Sequence, residues 1–392
     1  MAQKSHGNAG RLFRGAGKSG VRGISMKLRR KLFASRDPYD CTKSDLFLDA
    51  CRENFDHCVR RCGDYRKICE GLGVRSSADI GRVEDIPVIP TMLMKQHDFR
   101  AGRYFIEATS SGTSGAKSRV RFEFSALTAA LKMSLKVTRF HGITSMKPCR
   151  YIIMGYKPHR SNKTVVTKTA YLTTFLAPAI SRRFILKHTA DGYKPDFDSI
   201  EAALEKYSKG RAPVRFMGFP SYTFFLLRLL EEKGLTYTLP AGSKILLGGG
   251  WKQFYQEKAD KETFYRLAQK TLGIGEKDIV EFFGAVEHPI LYTDCKEHHF
   301  HVPVYSKVVI RDPDTLEPLG LGQTGLVNLI SPLCKATPIL SVMTDDLGIL
   351  HDGSTCACGI RSPYLEIVGR VAPEDIKTCA AGAADILQGV KL

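Results

Sequence analysis

Between residues 150 and 283 the chain alternates two textures, and that alternation constrains the fold more than any other feature of the sequence. Short apolar runs at 150–155, 214–217, 243–247 and 279–283 read as buried strands. Stretches with helical periodicity lie between them at 198–208, 221–233 and 261–272. Strands that alternate with helices fold into an α/β layer built on a parallel sheet. Further helical patterns cover 37–73 and 125–140, and residues 104–106 read as a strand running into Thr109. Beyond about residue 300 the texture changes to short β-rich segments at 302–310, 325–329, 347–351 and 364–368, separated by Gly, Pro and Asp turns. The expected organisation is a basic tail at 1–36, an α/β core at 37–300, a smaller β-rich lobe at 301–372 and a C-terminal tail at 373–392.

Charge and cysteine usage narrow the functional class. The net charge is +18, but residues 1–36 hold ten Lys and Arg and no acid. That segment is rich in Gly and Ser and has too little apolar surface to order itself. It reads as a solvated tail; an organellar transit peptide, or an extension upstream of a chain starting at Met26, are the alternatives. No basic–aromatic interleaving or reader motif accompanies the charge, so nucleic acid is not an expected partner. No apolar run approaches the roughly 20 residues of a membrane helix. A soluble, cytoplasmic protein without integral membrane association is therefore expected. Eleven cysteines, an odd number in a long chain, suit thiols kept free or metal-bound in a reducing compartment. Cys41, Cys51, Cys58, Cys62 and Cys69 fall on the 37–73 helical pattern. Cys58 and Cys62 stand one turn apart; a metal pair is one reading, and buried core residues, favoured because no His has a matching spacing, the other.

Several segments carry chemistry. Thr109 to Ser118 places two glycines in a hydroxyl-rich turn, Ser110-Ser111-Gly112-Thr113-Ser114-Gly115. Backbone N–H groups and hydroxyls of such a turn can cradle a polyphosphate. The spacing of Gly and Lys is not that of a Walker loop, and a plain surface turn is the competing reading. Glu281 to His288 ends a strand with an acid. Gly322 to Val327 turns into a strand, Thr344-Asp345-Asp346-Leu347-Gly348 puts acids at a strand edge, and Leu365 to Arg370 closes with Gly-Arg. Cys356-Ala357-Cys358 is a short chelating turn, and Cys295-x5-His301 lies upstream. Cys295, His301, Cys356 and Cys358 make a sensible Cys₃His set for structural Zn²⁺, closed and non-catalytic; a buried thiol pair is the alternative.

In this order and at these intervals the segments resemble the adenylate-forming superfamily of acyl-CoA synthetases, adenylation domains and luciferases, over roughly residues 85–372. The loop at 109–118 looks like the phosphate loop of that superfamily, with Ala116 in place of its proline. Phe283 to Glu287 resembles its aromatic-Gly-x-x-Glu motif, and Thr344 to Gly348 its Thr-Gly-Asp motif with Asp345 in place of the glycine. Ser-Ser-Gly-Thr-Ser-Gly, Gly248-Gly249-Gly250-Trp251-Lys252 and Glu287-His288 narrow the resemblance to the acyl-protein synthetase of the bacterial fatty-acid reductase complex, with phenylacetate–CoA ligases as relatives in pattern.

The resemblance implies an α/β adenylating fold with a smaller β-rich lobe and without the mobile C-terminal domain, since 22 residues follow Arg370. It implies ATP and Mg²⁺ as cofactors and a carboxylic acid, a fatty acid first, as substrate. Ser110, Ser111, Thr113 and Ser114, with Gly112 and Gly115, would hold the β- and γ-phosphates. Glu287 would hold Mg²⁺, Asp346 the ribose hydroxyls with Arg370 beside it, and Gly248, Gly249, Gly250, Phe283 and Gly284 would frame the adenine. Lys252 would neutralise charge at the α-phosphate, or is a solvated surface lysine. Cys379 would take the acyl group and pass it to an acyl-CoA-type reductase, or is an incidental tail cysteine. The acyl pocket is expected at 218–227. A ligase that passes the acyl group to CoA or a carrier protein, and a non-catalytic nucleotide- or acyl-binding protein on the same fold, are the other functional readings.

Overall fold

A computed structural model describes residues 27–110, 117–159, 171, 173–189, 192–250 and 259–371. The described chain opens with α1 (Lys27–Phe33), α2 (Ser44–Arg61) and α3 (Gly63–Gly71). The helical pattern at 37–73 is interrupted at Cys62, whose extended backbone (φ −121°, ψ 108°) turns the chain between α2 and α3. Cys51, Cys58 and Cys69 are fully buried and Cys62 nearly so. They fill the first core, and among the described residues no third His, Cys, Asp or Glu gathers with Cys58 and Cys62 as a metal-binding group. Helix α1 corrects the expectation of a tail reaching residue 36. Its apolar residues recur at helical spacing, so Leu32 and Phe33 are buried, and Arg29 goes in with them.

β1 (Ile89–Pro90) leads into α4 (Thr91–Gln96), and β2 (Ile106–Thr109) pairs antiparallel with β3 (Arg119–Phe122) before α5 (Phe124–Phe140). The α/β alternation follows: β4 (Cys149–Tyr156), β5 (Ala179–Thr189), β6 (Gly192–Pro195), α6 (Phe197–Ser208), β7 (Val214–Gly218), α7 (Pro220–Glu232), β8 (Lys244–Gly248), α8 (Lys261–Leu272), β9 (Ile279–Phe283) and β10 (Tyr292–Thr293). These strands form a seven-stranded sheet in the order β10-β9-β8-β7-β4-β5-β6. Neighbours from β9 through β5 are parallel, and β10 and β6 close the edges antiparallel. Side chains alternate across the sheet. Val214 and Phe216 of β7 join α6, α7 and α8 on one face, and Met217 packs with Ile143 and Leu246 on the other.

The second sheet contains β11 (Phe300–His301), β12 (Lys307–Arg311), β13 (Thr324–Ile330), β14 (Ser341–His351) and β15 (Tyr364–Arg370). Its order is β11-β15-β14-β13-β12, antiparallel throughout, and β1 adds parallel to β14. The expected strand at 302–310 begins at Lys307; Pro303, which has no N–H to donate, lies in the irregular stretch before it. One large core unites Leu32, Phe47 and Phe55 with Val308, Leu329 and Val342. The N-terminal helices therefore pack on the antiparallel sheet, and residues from both sides of position 300 share that core.

Gly218 ends β7 with φ +139°, and a Cβ there would stand 2.5 Å from the Met154 carbonyl oxygen. Gly218→Ala combines a backbone that L-residues avoid with a collision. We expect it to lower stability by about 1–3 kcal/mol, read as a reduced urea midpoint. No helix among the described residues is long and apolar enough to cross a membrane.

Candidate active site

Parallel strands present ligands at their C-terminal ends. Here β7, β8 and β9 end at Gly218, Gly248 and Phe283, with Gly248 paired to Phe282. Beyond β8, Gly249 and Gly250 both take left-handed φ (+88° and +66°), a pair that glycine supplies at little cost. Trp251 and Lys252 lie outside the described residues. Beyond β9, Gly284 approaches the Ile290 carbonyl so closely that a Cβ would stand 3.1 Å from it. The turn then closes by mutual backbone hydrogen bonds between Ala285 and His288.

That turn carries Glu287 inward to 6% exposure. Among the described residues no Lys or Arg is within ion-pair distance of it. Hard oxygen donors suit Mg²⁺, and with no cation of the described residues beside it Glu287 fits the ion expected of it. His288 does not share that duty. It is fully buried, its Nε2 lies 2.9 Å from Ser306 Oγ, and burial pushes its pKa down to about 3. It is a neutral core residue, in a network that Tyr292 completes through Ser306 at 2.7 Å. The Phe283 ring lies edge-on to Tyr292 at 5.6 Å and tilted to Phe300 at 5.9 Å, so packing sets its orientation.

The hydroxyl-rich loop is the connection of the β2–β3 hairpin. Ser110 closes its base: the Ser110 N–H donates to Ser118 O at 3.1 Å, and the Ser118 N–H donates to Ser110 Oγ at 3.0 Å. Ser110 thus has a closing role that the sequence reading did not assign to it. Ser111, Gly112, Thr113, Ser114 and Gly115 lie outside the described residues.

The two acids of β14 have different partners. Asp346 sits opposite Arg370 of β15 in register, and Arg370 Nε lies 3.2 Å from its Oδ1. The Asp346 N–H donates to Thr344 Oγ1 at 3.2 Å. Burial holds the Asp346 carboxyl above its ordinary pKa, and Arg370 pulls the other way. Asp345, at the position where the superfamily motif has glycine, accepts from Thr91 Oγ1 at 2.9 Å and lies 3.7 Å from Lys95 Nζ. The sequence reading missed Thr91 and Lys95. Their signal was faint: a hydroxyl and a lysine four apart on one helix face, just after Pro90.

Cys295, His301, Cys356 and Cys358 converge, their donor atoms all within 4.8 Å of one another. Strand pairing explains the convergence. β11 ends at His301, opposite Tyr364 of β15, and the Cys356–Cys358 turn lies between β14 and β15. The other cysteines among the described residues are also free thiols. Cys379 lies outside the described residues.

The fold is one found in solved ligase structures. It matches 2-hydroxyisobutyryl-CoA ligase, in an open conformation in complex with 2-HIB-AMP and CoA, at TM-score 0.63 and 14% identity, covering 86% of this chain and 76% of that one. The same ligase in its thioesterification state gives 0.61 at 13% identity, over 86% and 70%. At the sequence level the chain belongs to the acyl-protein synthetase family LuxE, whose family model matches residues 29–387. Curated relatives are long-chain-fatty-acid–luciferin-component ligases of Aliivibrio fischeri and Vibrio harveyi. They are 25% identical over 350 residues and 27% identical over 328, covering 86% and 81% of this chain and 87% and 82% of theirs.

Proposed function

We propose that this chain activates a carboxylic acid, a long-chain fatty acid first, with ATP and hands the acyl group to its own Cys379. The observation that carries the reading is the family match over residues 29–387, which takes in every motif in order together with Cys379. A carboxylate oxygen attacks the α-phosphate, a P–O bond to it forms, and the bond to pyrophosphate breaks. The Cys379 thiol loses its proton to solvent, and the thiolate attacks the acyl carbonyl, forming a C–S bond as the C–O bond to AMP breaks and AMP leaves. The thioester is passed on to an acyl-CoA-type reductase. Mg²⁺ held at Glu287 would screen the two anions that must meet. Asp346, oriented by Arg370, would bind the ribose hydroxyls. Ser111, Thr113 and Ser114 would cradle the phosphates, Gly249 and Gly250 would leave room for the base, and Lys252 would meet the α-phosphate.

An apolar acid suits the start of α7. There Phe219 packs edge-on to Tyr156 at 5.9 Å, and Tyr222 edge-on to Phe225 at 6.3 Å. The free thiols suit the reducing cytoplasm.

The test is intact mass after incubation with ATP, Mg²⁺ and a panel of fatty and aromatic acids, with and without hydroxylamine. A hydroxylamine-labile adduct, lost in Cys379→Ser while ATP–pyrophosphate exchange persists, is the expected result. Exchange without an adduct would point to a diffusible acceptor such as CoA. Neither signal with any acid would leave a binding protein on a ligase fold.

A further inference from the structure

We propose that Cys295, His301, Cys356 and Cys358 bind one Zn²⁺ ion, which staples the edge of the parallel sheet to the β14–β15 hairpin. Zinc in a tetrahedral site lies about 2.3 Å from sulfur and about 2.0–2.1 Å from imidazole nitrogen, so the edges of its tetrahedron are about 3.8 Å for S–S and about 3.6 Å for S–N. Cys295 Sγ and Cys356 Sγ are 3.8 Å apart. Cys358 Sγ and His301 Nε2 are 3.2 Å apart. The sulfur pair is far from a disulfide bond of about 2.05 Å.

The surroundings offer hydrogen bonds to the sulfurs and select one imidazole tautomer. The His301 Nδ1–H donates to the Ser362 carbonyl at 2.6 Å, which leaves the Nε2 lone pair facing the cysteines, the usual second-shell arrangement of a metal-bound histidine. Two sulfurs each receive a backbone N–H from two residues downstream: Glu297 N–H to Cys295 Sγ at 3.4 Å, and Ile360 N–H to Cys358 Sγ at 3.3 Å. Those donors disperse thiolate charge. Both turns are tight, with His298 at φ +56° and Gly359 at φ +89°. Non-glycine residues rarely take left-handed φ, so the backbone at His298 is held there by its context. A cavity of about 550 Å³, bordered by Tyr39, His141, Cys295 and Cys358, gives an entry path.

Three sulfurs and one nitrogen favour zinc over magnesium or calcium, which take oxygen. Four protein ligands leave no open position, so the ion is structural. It would join two arms of the site: the chain just after the β9–β10 turn that carries Glu287, and the hairpin whose strands carry Asp346 and Arg370.

The test is metal analysis of the full chain purified under reducing conditions without chelator. The expected result is one Zn²⁺ per chain, released when the thiols are mercurated, lost in Cys356→Ser and in Cys358→Ser, and retained in His301→Cys. Because a serine variant can fail to fold, the wild-type chain is also reconstituted with Co²⁺. Intense visible bands of tetrahedral cobalt–thiolate coordination are expected, with a fall in Tm on metal removal. Zinc well below one per chain, together with no thiolate bands from cobalt, would overturn the proposal. Metal content is read without ATP or acid, so it stands or falls apart from the ligase reading.

Discussion

Arg29→Ala is expected to lower unfolding stability by about 3–5 kcal/mol, the range seen when one partner of a buried ion pair is removed. Arg29 is 2% exposed and Glu123 7%. One guanidinium nitrogen donates to Glu123 Oε1 and to the Leu333 carbonyl, both at 2.6 Å, and another donates to Ser125 Oγ at 2.8 Å. The second oxygen of Glu123 accepts the N–H groups of Lys335 and Ala336, each at 3.2 Å. Truncating Arg29 leaves that carboxylate in the core without its cation. The double variant Arg29→Met with Glu123→Gln should recover most of the loss, because the amide still accepts the two N–H groups and carries no charge. Urea titrations of the three proteins measure this. A single variant within about 1 kcal/mol of wild type would show that the pair is not what anchors α1.

Asp346→Asn is expected to cut kcat/KM for ATP about 10- to 100-fold, the loss of a hydrogen bond made by a charged group, and to leave the unliganded protein at least as stable. The two effects would have opposite signs because burial makes the ionised carboxylate a cost to the fold, whereas the proposed ribose contact needs it. Its folded pKa is raised above the ordinary 3.8, burial being the largest cause. The folded state therefore binds this proton more tightly than the unfolded state. Stability from this group is present below 3.8 and is lost as pH rises through the raised value. At neutral pH the ionised form is a cost that asparagine removes, while Arg370, largely exposed, falls back on solvent. Tm values of the two proteins should converge as the pH is lowered into the carboxylate range. If pyrophosphate exchange is unchanged in Asp346→Asn, the ribose-binding role is wrong whatever Tm does.

What could be read in the sequence followed periodicity. The segments at 261–272 and 279–283 were placed to the residue, because amphipathic helices and short apolar strands announce themselves locally. β5 was not read, since its Ser181, Arg182, Arg183 and Lys187 mask a strand that buries Ile185 and Leu186. α1 was hidden by its four basic residues, whose neutralisation depends in part on Glu123, 94 positions away. The order of the acidic and glycine motifs was legible, and so were the four residues, Cys295, His301, Cys356 and Cys358, that the fold brings together. The register that puts Asp346 against Arg370, and His301 beside the Cys356–Cys358 turn, is a property of strand pairing between distant segments. No local pattern encodes it. The grip of Thr91 and Lys95 on Asp345 was invisible for the same reason.

The shared core of the N-terminal helices and the antiparallel sheet has a consequence during synthesis. Arg29 and Leu333, in hydrogen-bond contact, are 304 residues apart in sequence, and a ribosome adds about 5–20 residues per second. Once made, α1 and α2 must wait, with Leu32, Phe47 and Phe55 uncovered, for roughly a quarter of a minute to a minute before their partners exist. Closing so long a loop is slow in its own right. The parallel sheet, whose strands and helices are near neighbours in the chain, can assemble in the interval. A chaperone that shields α1 and α2 during translation should therefore raise the yield of folded chain more than one supplied after release.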